Sequence, residues 1–337
     1  MVEQAPALTE VGAGLQIAPN GHRVLDALGV APPAIASRAV HLIDGPTGRS
    51  VIRMPLGDGF RLVHRADLIT ALAARARDLG VRLHLGRRVA EVGDDHLTFA
   101  DGTTTPFARL VGADGARGAA RVFVTPDHAT RFTGQVAWRA IVGIAGWPAE
   151  AQVHMGPARH LVCYPLREGR ALNIVAVEER AAWRAEGWSQ RDDPENLHIA
   201  FAGFAEPMRG LLDRVREVHV WGLMDHGMTP RWTRGIVTLI GDAAHPTLPF
   251  LAQGANLALE DAWTLAASLD DPEGWEAARR PRVARALRAA AGNARNYHLT
   301  GAPRLLGHCA LRLAGRMAPT LPLRGLRWLY DADITRE

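Results

Sequence analysis

No lysine occurs anywhere in the 337-residue chain, so arginine supplies every fixed positive charge. The arginines are dispersed among acids and the net charge is only +4, which leaves no basic run for nucleic acid to bind. Cysteine is nearly absent: Cys163 and Cys309 cannot make a disulfide framework. No run of 18 apolar residues occurs, which argues against a spanning helix and stable membrane association. The opening "MVEQAPALTE" lacks both a basic start and an apolar stretch, so no signal peptide is expected and the reading is cytoplasmic. The histidines show no H-x-x-x-H spacing and the cysteines no C-x-x-C, so no metal site is expected.

What is present is a core-forming chain, 47% hydrophobic and long enough for roughly two domains. "HRADLITALAARARDLG" predicts a helix over Arg65–Leu79, stopped by Gly80. "HLTFADGTTTPF" predicts a hairpin turning at Asp101-Gly102, and Arg109–Gly112 a buried strand. Residues 122–180 hold several β-like runs without a good helix, which predicts an antiparallel sheet. A helical stretch broken near Pro207 and a strand in "EVHVWGLMDH" follow. Beyond Asp270 the chain reads as helical to about Met317, with Pro281, Pro303, Pro319 and Pro322 marking joints.

The stretch "GDAAHPTLPFLAQGANLALEDA" (Gly241–Ala262) joins a β-branched run, Ile236–Ile240, to a helical pattern. Strand-to-helix loops take ~2–6 residues, and this one is longer. Asp242 stands just past a strand's carboxyl end, where open α/β sheets bind ligands, though a turn or capping role would also suit it. Gln253, Gly254, Ala255 and Asn256 open a helix whose free N–H groups favour an electron-rich oxygen, or are simply capped. In this order the two features are more specific than either alone.

That stretch resembles the flavin-contacting segment of the FAD-dependent aromatic monooxygenases, the family of para-hydroxybenzoate and salicylate hydroxylases. "EQAPALTEVGAGLQIAPNGHRVLDALG", "HRADL" and "LVGADGARGAAR" are similar to further family segments. "FTGQVAWR", "RHLVCYPL" and "WLYDADIT" look closest to the salicylate and 3-hydroxybenzoate hydroxylase branch. The implied fold is α/β: a Rossmann-like FAD-binding domain with an inserted antiparallel β-sheet substrate domain and C-terminal helices. The expected division is 1–121 with 225–270 for FAD, 122–224 for substrate and 271–337 for the helical segment.

By position, the resemblance implies that Asp242 binds the ribityl chain, with Gln253 beside the flavin. Gly254, Ala255 and Asn256 would offer backbone N–H groups to the flavin pyrimidine. Glu3 would take the adenosine ribose, with Gln4 and Val11 nearby. Arg65 would meet the pyrophosphate or ribose, Val89 the adenine, and Asp114 and Gly115 the region where pyrophosphate and nicotinamide donor meet. Two departures stand out. The chain starts where the family's second strand ends, so the G-x-G-x-x-G turn is expected to be missing, a βα unit of roughly 30 residues. Gly118 replaces the usual serine.

The implied chemistry is reduction of FAD by NADH or NADPH, addition of O2, and transfer of oxygen from a flavin hydroperoxide to an activated phenol. A base near the ring helps, because a phenolate is the better nucleophile. His160 and Tyr164, on one face of "RHLVCYPL", are candidates; both would also serve as ordinary sheet residues. His245 and Pro249 border the flavin loop, where His245 could be structural and Pro249 shape the cavity. Arg139 or Arg159 could pair a substrate carboxylate, or form surface salt bridges. Cys163 reads as a buried apolar residue. The expected protein is a monomer or homodimer acting on a small salicylate-like aromatic acid. The alternatives are a truncated, non-catalytic remnant with impaired FAD binding, or a flavin reductase or dehydrogenase on the same scaffold.

Overall fold

Alternating side chains between Arg131 and Glu179 build the largest element of the protein. The computed structural model describes residues 1–8, 14–126, 129–183 and 190–336. β1 (Gly14–Ile17) leads into α1 (Pro19–Ala27). β2 (Ala34–Ala36), β3 (Ala39–Asp44), β4 (Arg49–Pro55) and β5 (Arg61–His64) precede α2 (Arg65–Asp78). The acid Asp67 in the first turn of α2 and Arg75 and Arg77 in the last suit its macrodipole. β6 (Val89–Val92), β7 (His96–Phe99) and β8 (Thr104–Pro106) form a small antiparallel sheet, followed by β9 (Leu110–Gly112) and α3 (Ala119–Val124).

The long strands come next: β10 (Arg131–Gly143), β11 (Ala151–Gly156), β12 (Arg159–Leu166) and β13 (Ala171–Glu179). β14 (Gln190–Asp192), α4 (Pro194–Phe201), α5 (Met208–Leu212) and β15 (Val218–Asp225) complete this region, with a cis Glu206–Pro207 bond between the two helices. β16 (Thr233–Arg234) and β17 (Val237–Leu239) return the chain to the loop before α6 (Gly254–Ala267). α7 (Pro272–Tyr297), α8 (Gly301–Met317), α9 (Leu321–Arg324) and α10 (Arg327–Tyr330) end it.

Eight strands make one sheet in the order β14-β15-β10-β13-β12-β11-β3-β4. Its pairings are antiparallel except β11–β3. Residues 39–55, expected on the nucleotide side of a boundary at 121, therefore lie in the large sheet, drawn in by that parallel pairing. One face of the sheet carries Trp138, Leu161, Cys163 and Ile174 against α4 and α5. Cys163 is buried there, and burial pushes its thiol pKa well up. Elsewhere β9 and β17 pair in parallel, and their core joins α3, α6 and α7 through Leu239, Leu257 and Val283.

Pro281 does not mark a joint: it lies inside the 26-residue α7. An interior proline removes one helix hydrogen bond. Here Trp275, Val283, Ala286 and Ala290 bury one face on both sides of it, and Asp271 caps the start by accepting from the Gly274 N–H. No helix among the described residues is long and apolar enough to cross a membrane.

Candidate functional site

Two carboxylates stand at the carboxyl ends of neighbouring parallel strands, Asp114 after β9 and Asp242 after β17. Each is open to solvent yet crowded by protein. Burial raises both pKa values; His245, Arg65 and Arg121 pull Asp242 back, and Arg121 and the Ala120 N–H pull Asp114 back. Arg121 lies buried between them and donates to the carbonyls of Ala243 (2.8 Å) and His226 (3.3 Å). Asp114 accepts from Ala120 N–H at 2.8 Å, which folds its carboxylate over Gly118. A Cβ at 118 would fall 1.9 Å from the Asp114 Cγ, so glycine is required while Asp114 holds this pose. Gly115 turns the chain beside it, and Arg65 opens α2 at the surface.

The loop that carries Asp242 runs on into the start of α6. Ala252 takes a left-handed conformation, φ 53°, which costs an alanine roughly 1–2 kcal/mol and aims the chain into the helix. No side chain caps α6, so the first N–H groups, at Gly254, Ala255 and Asn256, have no intrahelical acceptor. A Cβ at Gly254 would touch only Thr247, at 3.9 Å. The Gln253 side chain is buried; its Oε1 accepts from Asn20 Nδ2 at 3.0 Å and its Nε2 has no partner among the described residues. The Asn256 side chain is spent internally. It accepts from Ala18 N–H (2.9 Å) and donates to the Gln16 and Ala252 carbonyls (3.1 and 2.7 Å), tying β1 and α1 to α6. Gly21 is necessarily small, since a Cβ there would lie 2.2 Å from Asn256 Oδ1.

Beneath this mouth lies a buried ionic network that sequence reasoning passed over. Glu260 accepts from Asn20, Arg279 and Arg282, at 2.7–2.9 Å. Asp261 accepts from Arg279 Nη2 (2.8 Å), the Gly241 N–H (3.0 Å) and His245 Nε2 (2.5 Å). Despite burial, these bonds hold both carboxyls below their usual range. His245 is thereby fixed under the loop, its ring 5.1 Å from Trp232. The adjacent acids of "LEDA" inside an apolar helix were the available signal.

The second face of the large sheet lies against this loop. Cross-strand pairing aligns Trp221, Ala137, Val177 and His160 in one row, and Arg139 and Val175 in the next. Asn173 and Tyr164 pair in a third row. Leu248 and Phe250, from the loop around Pro249, pack on Ala137, Val177 and Trp221 in one cluster, so this loop and the sheet face meet. Pro249 itself is exposed. His160, 2% exposed, lies 5.6 Å from the Phe250 ring. Burial, together with His298, holds its imidazole well below the ordinary range, and burial pushes the Tyr164 phenol well up. At neutral pH this site has a neutral imidazole and a protonated phenol.

Parity separates the two arginines. Arg139 shares the face of His160, its guanidinium 4.9 Å from the Trp221 ring, and its charge acts on Tyr164. Arg159 points to the other side, bonding the Ala200 carbonyl and approaching Glu178 at 3.6 Å. By sheet spacing the Cα atoms of Arg139 and His160 stand roughly 12 Å apart, two strands and one row. A single ring with carboxyl and hydroxyl groups, plus two side chains, spans that gap.

The N-terminal candidates sit apart from these elements in sequence but share the core. Val2 bridges His84 in parallel, and Val2 and Val89 pack with the β17–α6 cluster. The Glu3 carboxylate accepts from Ala5 N–H at 2.8 Å, and Gln4 is exposed. Val11 lies outside the described residues. Trp221 is a further residue of this face that no motif announced. Only the strand order brings it in.

Residues 59–281 match the family model described as "FAD binding domain". The chain is 36% identical to a 3-amino-4-hydroxybenzoate 2-monooxygenase of Streptomyces cremeus, over 97% of this chain and 87% of the relative. It is 33% identical to a 3-hydroxybenzoate 6-hydroxylase of Polaromonas naphthalenivorans (strain CJ2), over 99% and 90% respectively. Among solved structures, a salicylate hydroxylase substrate complex superposes with a TM-score of 0.78 at 23% identity, covering 96% of this chain and 89% of that one.

Proposed function

This chain belongs to the FAD-dependent aromatic monooxygenases, and from that premise we propose that it hydroxylates a phenolic aromatic acid of the hydroxybenzoate or salicylate kind. The cofactor is FAD, with NAD(P)H as reductant. The residues present fit that group. The uncapped N–H groups of Gly254, Ala255 and Asn256, the unpartnered Gln253 Nε2 and the open space beside Gly254 together ask for an electron-rich partner. Asp242 would receive sugar-like hydroxyls. Glu3, with Gln4 and Val11, would serve the adenosine end, alongside Arg65, Val89, Asp114 and Gly115. When bound and reduced, FAD supplies the activated oxygen that is transferred to the ring.

The rest is work for the side chains. Arg139 takes the substrate carboxylate in a charge-assisted pair, with Trp221 beneath the guanidinium. His160, neutral, accepts the phenolic proton at its Nε2 and so makes the ring electron-rich. Tyr164, protonated, donates to the substrate. Pro249, Leu248 and Phe250 wall the site and keep water out. His245 holds the loop in register through Asp261. The observation that carries this reading is the single sheet face shared by His160, Tyr164 and Arg139, closed by the loop that leads to α6.

Oxygen consumption with NADH or NADPH and a panel of hydroxybenzoates tests it. One hydroxylated product per O2 is expected. Peroxide as the sole product would mean a reductase, and would overturn the hydroxylase reading.

A further inference from the structure

His160 is not the end of its own hydrogen-bond chain. Its Nδ1 lies 2.7 Å from His298 Nε2, and His298 Nδ1 lies 2.8 Å from Glu179 Oε1. The chain runs from a buried imidazole on β12, through a buried one just after α7, to a carboxylate whose side chain is 49% exposed. Nothing in the reaction as described uses His298 or Glu179. We propose that these two are a proton exit, carrying the phenolic proton from His160 to bulk water. The proposal rests on the reading of His160 as the base.

The geometry gives the path a direction. Glu179, a carboxylate, only accepts, so a neutral His298, the form that burial favours, bears its hydrogen on Nδ1 and presents a lone pair at Nε2. His160 then bears its hydrogen on Nδ1 and has a lone pair at Nε2, which makes no hydrogen bond among the described residues. A proton taken from a phenol at His160 Nε2 releases the one on Nδ1 to His298 Nε2. That in turn releases the His298 Nδ1 proton to Glu179 and so to water. One O–H bond breaks, one water-borne proton appears, and both rings end neutral. Protonation of the product phenol through the same path resets the tautomers.

The other groups facing His298 agree with this. The Gln135 amide approaches Nδ1 at only 3.4 Å, too long to displace the 2.8 Å bond to Glu179. Burial, aided by Arg159, disfavours a resting positive charge on His298 more than the Glu179 carboxylate favours it, and the Tyr297 and Phe250 rings enclose His160. The backbone fixes all three parts at one point. The Ala158 N–H donates to the His298 carbonyl (3.3 Å), and the Ala158 carbonyl accepts from the Glu179 N–H (2.9 Å).

The test uses the FAD-loaded, oxidised protein mixed with 3-hydroxybenzoate in weak buffer. A pH indicator reports proton release and the ligand's ultraviolet band reports phenolate. Wild-type protein is expected to release a proton as phenolate forms. Glu179→Gln and His298→Gln are expected to slow both signals ~10-fold or more, with ligand affinity within about 2-fold. Glu179→Asp should recover most of the rate. Ionisation that His160→Asn abolishes, but that Glu179→Gln and His298→Gln leave at the wild-type rate, overturns the exit path alone. A wild-type protein that binds 3-hydroxybenzoate and leaves it protonated overturns the base reading and the path with it. Nitrogen-15 spectra of wild-type protein supply a check independent of variants: His298 is expected protonated at Nδ1, and protonation at Nε2 contradicts the path.

Discussion

His160 packs against the rings of Phe250 and Tyr297 and hydrogen-bonds His298, surroundings that favour a neutral imidazole and so suit the proposed role as base. Replacing it by asparagine keeps a polar side chain but removes the proton acceptor. His160→Asn is expected to lower kcat by ~10²–10⁴-fold, with FAD retained, as measured by steady-state oxygen uptake. A second buried histidine sets a stability limit. Burial, and then the charge of His41, lower the pKa of His154 to about 4. The folded protein refuses a proton that the unfolded chain takes below 6.5. Stability from this group is therefore complete above pH 6.5 and falls as pH drops toward about 4. The gap is worth up to roughly 3 kcal/mol. Urea midpoints measured between pH 7 and 4 should fall along this window, and His154→Gln should flatten the decline.

At the scale of elements, the loop from Gly241 to Gln253 holds its shape because α6 and α7 hold it. Arg279 is clamped between Glu260 and Asp261, and Asp261 holds Gly241 and His245 in turn. Removing one charge from a buried pair strands the others. Arg279→Met is expected to cost about 3–5 kcal/mol in chemical denaturation, with flavin affinity falling as the loop loosens. Asp242 is the opposite case, since its carboxylate is exposed and its backbone partner, Thr247, belongs to the same loop. Asp242→Ala should leave the denaturation midpoint within about 0.5 kcal/mol, and should weaken FAD binding by roughly 10–150-fold in a fluorescence titration.

Much of this was legible at the level of single elements. The hairpin at Asp101-Gly102, the helix from Arg65 and the strand–loop–helix around Asp242 are each written in contiguous residues. The β-rich insert was legible too, because its strands alternate. What alternation does not encode is which strands become neighbours. The parallel pairing that draws residues 39–55 into the large sheet depends on contacts about a hundred residues apart. His160 and His298 are separated by 138 residues and share no motif. Arg139 and Arg159 were equivalent candidates until the register assigned them to opposite faces. Pro281 misled for a related reason, since local propensity yields to the packing of a long buried face.

At the scale of the whole molecule, the nucleotide-side core and the large sheet are joined by the loop carrying Leu248, Pro249 and Phe250. On the proposed function, this loop and the face bearing Arg139, Tyr164 and His160 are two walls of one hollow, and a phenolic acid on the sheet lies against the flavin. The visible absorption difference spectrum of FAD-loaded protein on addition of 3-hydroxybenzoate tests this most directly. Wild-type protein is predicted to show a perturbed flavin band that saturates with ligand, and Arg139→Met to keep FAD while losing that perturbation. Ligand that binds without disturbing the flavin band, or an Arg139→Met spectrum indistinguishable from wild type, would contradict the claim.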